Sequence, residues 1–217
     1  MKRIGLLSAV FAAMLTVACG GRDNDTTPAS DTAAVGTAGE GANADADRNN
    51  VSAGARDWVN DRALAGMTEV RLGELASQKG MNADVKAFGK MMVSDHTKAN
   101  DSLKQVATQH NIPLPAELDN EHRDKIDKFS KLTGAQFDRE YMKTMVDDHE
   151  NTIEALEDRL DKEGTDENPT YTAKKNDNRV DAALNQWSAT VIPTVHKHLT
   201  RAKQLNDKIG RRSTTDY

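Results

Sequence analysis

The chain has 217 residues, 29 Lys+Arg against 34 Asp+Glu, one Cys, 37% hydrophobic residues and 4% aromatics. A length of this order allows one domain or two small ones. The single Cys excludes an intramolecular disulfide framework and any multi-Cys zinc or iron–sulfur site, and a net charge of -5 argues against a general nucleic-acid binder.

Lys2 and Arg3 form a short basic start before an apolar run from Ile4 to Val17. The run is too short to span a bilayer comfortably and reads as the core of a secretory signal. It ends in Leu15-Thr16-Val17-Ala18-Cys19, small residues just before the only Cys. This resembles the bacterial lipoprotein signal, which implies that residues 1–18 are removed and that Cys19 is lipidated. An ordinary signal peptide with an incidental Cys is the competing reading. Gly20, rather than Asp, follows the Cys. In that resemblance it implies sorting to the outer membrane, facing the periplasm. Several acyl chains would make the attachment stable, where one binds only marginally.

Residues 19–51 read as an acidic tether. From 20 to 50 the stretch lacks Leu, Ile, Met and aromatics, and holds six acids against Arg22 and Arg48. Such a segment cannot bury enough apolar surface to offset its ordering entropy.

The remainder carries helical periodicity and no alternating strand pattern. A first helix is predicted over 52–79, with Ser52 as cap and Gly80 as stop. A second covers 82–110, with the stripe Val85, Phe88, Met92, Ala99, Leu103, Val106. Pro113 and Pro115 then break the chain, and a short helix is predicted over 117–132. A third long helix runs over 134–162 with Phe137, Tyr141, Met145, Leu156 and Leu160 inward. A polar stretch follows, Gly164 to Asn178. The last helix covers 179–209, with Pro193 expected to kink it. Four long amphipathic helices predict an all-α four-helix bundle over 52–210, with a disordered tail at 211–217. The long connection between the second and third helices is enough to cross the bundle. That resembles a ferritin-like topology.

Polar residues inside the stripes carry the chemistry. His96 follows Met92 by four, His149 follows Met145 by four, and His198 follows Val195 by three. Each therefore lies on an apolar face. Glu69 follows Ala65 by four on the first helix. The bundle thus offers Glu69, His96, His149 and His198, one per helix, as candidate ligands for a single Zn, Cu, Fe or Mn ion. The competing reading is a set of core histidines with hydrogen-bond partners. Asp95 and Asp148 are candidates for orienting or structural roles. His110, His122 and His196 are expected at the surface or boundary, with His196 a lesser candidate ligand. Met92-Val93-Ser94-Asp95-His96 and Met145-Val146-Asp147-Asp148-His149 echo one another.

Glu69-Val70-Arg71-Leu72-Gly73, Met92 to His96 with Lys98-Ala99-Asn100, Phe137 to Tyr141, Met145-Val146 with His149, and Ile192-Pro193 with His198-Leu199 occur in that order. The set is similar to the bacterial family called domain of unknown function 4142, over roughly 52–206. The resemblance implies a ferritin-like helical bundle in the cell envelope and supplies no established reaction. The paired Glu-x-x-His motifs of di-iron carboxylate bundles are missing, which argues against iron storage or a di-iron oxidase. The polar stretch at 165–178 is also longer than the family's usual entry to its last helix.

Phosphate-binding glycine loops and a G-x-S-x-G elbow are absent from the sequence, so no catalytic residue is assigned. The expectation is a non-enzymatic envelope lipoprotein, attached to the membrane through its N-terminal lipid, whose bundle binds a protein partner or one metal ion. The alternative is a mononuclear metal-dependent redox enzyme.

Overall fold

In the computed structural model, residues 49–165 and 168–215 are described. The expected signal, Cys19 and most of the tether lie outside the described residues. The end of that tether is docked: the Asn50 carbonyl accepts from Asn178 Nδ2, and Val51 packs on the core. No described helix is long and apolar enough to cross a membrane.

Helix α1 spans Ala53–Lys79 and α2 spans Ala83–Gln109. Their starts are set by local side-chain caps. Ser52 Oγ accepts from the Ala55 amide, and Asn82 Oδ1 accepts from Asp84, so each satisfies an amide that the helix itself leaves unpaired. Helix α3, Asn120–Lys131, is capped by Asp119 in the same way. Helix α4 covers Gly134–Glu157, and α5 runs from Arg179 to Thr215 with Pro193 inside it. The α5 helix therefore carries on past residue 210, where the sequence reading placed a disordered tail.

Helix α4 stops at Glu157 and not at 162. The polar stretch after it is an antiparallel hairpin, β1 (Leu160–Thr165) and β2 (Asn168–Ala173), with Leu160 opposite Ala173. Leu160 is the one buried residue of β1, so no alternation was visible there. The hairpin is held by what it docks on. Tyr171 stacks on His196 of α5, and its hydroxyl bonds His196 Nε2 and donates to Glu157. Asn185 Nδ2 donates to the Lys174 carbonyl just beyond β2. His196 is thereby engaged with the hairpin.

The helices pack as two hairpins, α1 on α2 and α4 on α5, joined chiefly by α2 on α5. Gly80 and Gly134 form a parallel bridge, so α2 and α4 start at the same end. The long connection with α3 brings the chain back along the bundle, as the crossover reading expects. Asp138 fixes that end: its two carboxylate oxygens accept from the Met81 and Asn82 amides at 2.9 and 2.7 Å.

The core is divided. One apolar cluster holds Leu72, Phe88, Met92, Tyr141, Met145 and Leu205. At the other end lie two more, around Val59, Leu103 and Leu184 and around Ile153, Leu156 and Ile192. On all four long helices, the residues between these regions are polar and buried: Glu69, His96, His149 and His198.

The α1–α2 hairpin is tight because glycines meet. A Cβ on Gly89 would lie 2.7 Å from the Gly73 carbonyl oxygen and 2.9 Å from the Ser77 amide, both backbone atoms that cannot rotate away. Gly89→Ala should therefore force the helices apart and cost about 1–3 kcal/mol. Thermal unfolding should show a drop of several degrees with the helical signal intact at low temperature; an unchanged midpoint would show that this contact does not set the helix separation.

Candidate metal centre

Each of the four polar residues sits where its helix stripe crosses the middle of the bundle. Glu69 is 5% exposed, His96 7%, His149 0% and His198 2%. The three imidazoles form a nearly equilateral triangle, with ring centroids 5.6, 5.3 and 5.5 Å apart for His96–His149, His96–His198 and His149–His198. Ring nitrogens from the three histidines all lie within 4.8 Å of one another.

Every histidine has one nitrogen engaged by the protein. His96 Nδ1 faces Glu69 Oε2 at 2.8 Å. His149 Nδ1 lies 2.8 Å from the Met145 carbonyl oxygen, one turn earlier on α4, and 3.5 Å from Glu69 Oε1. His198 Nε2 lies 3.2 Å from Asp95 Oδ2 across the α2–α5 contact. Each acceptor fixes a tautomer, with the proton on the engaged nitrogen. The opposite nitrogens are buried and have no hydrogen-bond partner among the described residues: His96 Nε2, His149 Nε2 and His198 Nδ1. Glu69 Oε1 is in the same condition. A buried polar atom without a partner costs about 1–3 kcal/mol. Four in one layer are therefore a standing penalty on the metal-free fold.

The donor set suits a transition-metal ion. Three neutral imidazoles held by outer hydrogen bonds form the arrangement by which proteins orient metal-binding histidines. Two nitrogens on one tetrahedral zinc-like ion stand about 3.4 Å apart, so the rings would close inward on binding. Glu69 was expected as a fourth ligand. It lies behind the triad, against His96 and His149, with Oε2 already engaged. The other expected roles divide. Asp95 orients His198, whereas Asp148 turns to α3, where Lys125 Nζ donates to both its oxygens at 2.7 Å. His110 and His122 are half-buried, away from the triad. Sequence reasoning missed the Met145 carbonyl, and had no signal for it.

Charge follows from burial. Burial pushes the Glu69 carboxyl up, but the neighbouring imidazoles and the His96 bond outweigh this and hold it at about 2. Burial works to lower His96, yet the Glu69 charge and hydrogen bond win and raise it. His149 is lowered by burial, and His198 is brought down to about 4 by burial and by the His96 charge. Glu69 and His96 thus favour each other's charged forms, whereas burial favours the neutral forms of His149 and His198.

These directions give a pH signature. Between about 4 and 6.5 the unfolded chain protonates His149 and His198 while the folded chain resists, so folded stability falls as pH drops through that window. His96 acts oppositely. Its contribution is complete below 6.5 and is lost only as pH rises through its raised folded value. Glu69 loses its contribution only as pH falls from 4.5 toward 2. The melting temperature of metal-free protein should fall between pH 6.5 and 4, and replacing His149 and His198 by Leu should flatten that slope. An equal slope in the double variant would place the acid sensitivity elsewhere.

Neither the comparison with curated proteins nor that with solved structures gives a match. A family model described as Domain of unknown function (DUF4142) matches residues 40–205, which include all four residues of the buried layer. The chain belongs to that family.

Proposed function

We propose that this chain is an envelope-anchored lipoprotein, tethered through Cys19, whose helical bundle binds one transition-metal ion through His96, His149 and His198. The observation that carries the reading is a set of three buried histidines whose ring nitrogens come within 4.8 Å of one another, each with one nitrogen engaged by the protein and the other without a hydrogen-bond partner among the described residues. A core of ordinary structural histidines would pair both nitrogens or expose one, because unpaired burial is costly. Imidazole donors suit Zn, Cu, Fe or Mn. When bound, such an ion supplies Lewis acidity or electron exchange at the centre of the bundle. Glu69 and Asp95 act behind it by holding His96 and His198 in place. Protein purified without chelator or affinity tag should hold about one metal ion per chain.

A metal at a hundredfold excess over its dissociation constant stabilises the fold by about 2.7 kcal/mol, or about 5–10 °C for a domain of this size. His149→Leu should abolish that gain without lowering the melting temperature of the metal-free protein, since it removes an unpaired polar atom from the core. Asp95→Ala should leave binding in place but weaken it about 10–100-fold. A melting temperature indifferent to added Zn, Cu, Fe and Mn, with metal-free protein from a chelator-free preparation, would sink the reading.

The anchor has a separate test. Small residues before a lone Cys at the end of an apolar run support lipidation. Cys19→Ala should release the protein from the membrane fraction and abolish acyl labelling. Unchanged fractionation and labelling would refute the lipid anchor without touching the metal site.

A further inference from the structure

We infer that the ion in this centre keeps one coordination position open to a small exogenous donor, which arrives through the cleft between α2 and α5; this rests on the metal reading above. Three imidazoles leave at least one position of a tetrahedral ion unfilled. The converging group contains no fourth side chain among the described residues, and Glu69 has its Oε2 committed to His96. A three-histidine set with a vacant position is the donor pattern of exchangeable metal centres, whereas structural sites are closed by four protein ligands.

The surface comes nearest to that position along one seam of the bundle. A surface cleft of about 380 Å³ runs along the α2–α5 seam and is lined by both His96 and His198. Its walls carry the charged Asp95 and Lys98 beside the small side chains of Ala99 and Ser102 on α2 and Thr190 and Thr194 on α5. That volume admits a small anion or a small organic molecule. His149 lies on the far side and is wholly buried. The opposite side of the bundle is less favourable. There a cavity of about 150 Å³, flanked by Arg62, Lys125 and Asp148, reaches Glu69 but none of the three histidines. The α1–α2 seam is closed by the backbone approach of Gly73 and Gly89. Of these openings, the α2–α5 cleft is the one lined by two of the three histidines.

Co(II)-loaded full-length protein gives a direct readout, with azide as the probe. Azide should shift the visible ligand-field bands of bound Co(II) in a saturable way. Ala99→Phe and Thr194→Phe, each narrowing the cleft from a different helix, should retain one Co(II) per chain and weaken azide by about tenfold or more, a cost of about 1.4 kcal/mol. Bands that ignore azide would show a closed coordination sphere and overturn the inference while leaving the metal site standing. Equal azide affinity in both variants, with Co(II) retained, would overturn the α2–α5 route. Failure of the unmodified protein to bind Co(II), Zn, Cu, Fe or Mn at all would instead remove the reading beneath it.

Discussion

One constraint governs this bundle: four ionisable side chains lie in a single layer between the apolar clusters of its core. Leu, Phe and Met residues pack to one side of it, and Val, Leu and Ile residues to the other. Desolvating such groups is expensive, and the cost is met only where each finds a partner. The protein meets it halfway. One nitrogen of every imidazole is engaged, by Glu69, by the Met145 carbonyl or by Asp95, and the other is buried without a hydrogen-bond partner among the described residues. Replacing the layer with hydrophobic residues would make a simpler core. Instead the layer combines ordered contacts on one nitrogen of each imidazole with an unsatisfied second nitrogen.

The outer contacts differ in kind, and that sets the charge pattern. Glu69 makes His96 the one imidazole with a raised proton affinity, while a neutral carbonyl behind His149 does nothing comparable. The echoed segments around His96 and His149 are thus alike in sequence and unlike in electrostatics. Even the two acids that precede them diverge: Asp95 reaches the neighbouring α5, and Asp148 reaches α3. A bound dication would compete with protons for the imidazoles and leave Glu69 and Asp95 as compensating charge, so metal uptake would depend on pH.

Much of the architecture was legible because helices write their burial into a period of 3.6. Ser52, Asn82 and Gly80 marked helix boundaries that hold within about a residue or two. The inward positions of His96, His149 and His198 followed from their spacing to Met92, Met145 and Val195. The hairpin did not show itself. Its first strand carries a single buried residue, Leu160, which also continues the helical stripe of α4, and its second docks through Tyr171 onto a helix that is distant in sequence. Local pattern cannot reveal such a tertiary dependence. At the site, side-chain identities were readable but the division between inner and outer contacts was not. Whether Glu69 stands beside the histidines or behind them depends on helix rotation by fractions of a turn, and a backbone acceptor such as the Met145 carbonyl leaves no mark in residue choice.

The close glycine contact in the α1–α2 hairpin has a mechanical consequence. It draws α1 and α2 into one closely packed unit, and α4 packed on α5 is the other. His96 belongs to the first, whereas His149 and His198 belong to the second. An ion held by all three would therefore rivet two rigid plates across their seam. Shear between the plates would be felt first as distortion at the rivet, and loading the ion would damp that sliding. The same few ångströms at the centre of the molecule would thus tune chemistry and stiffness together.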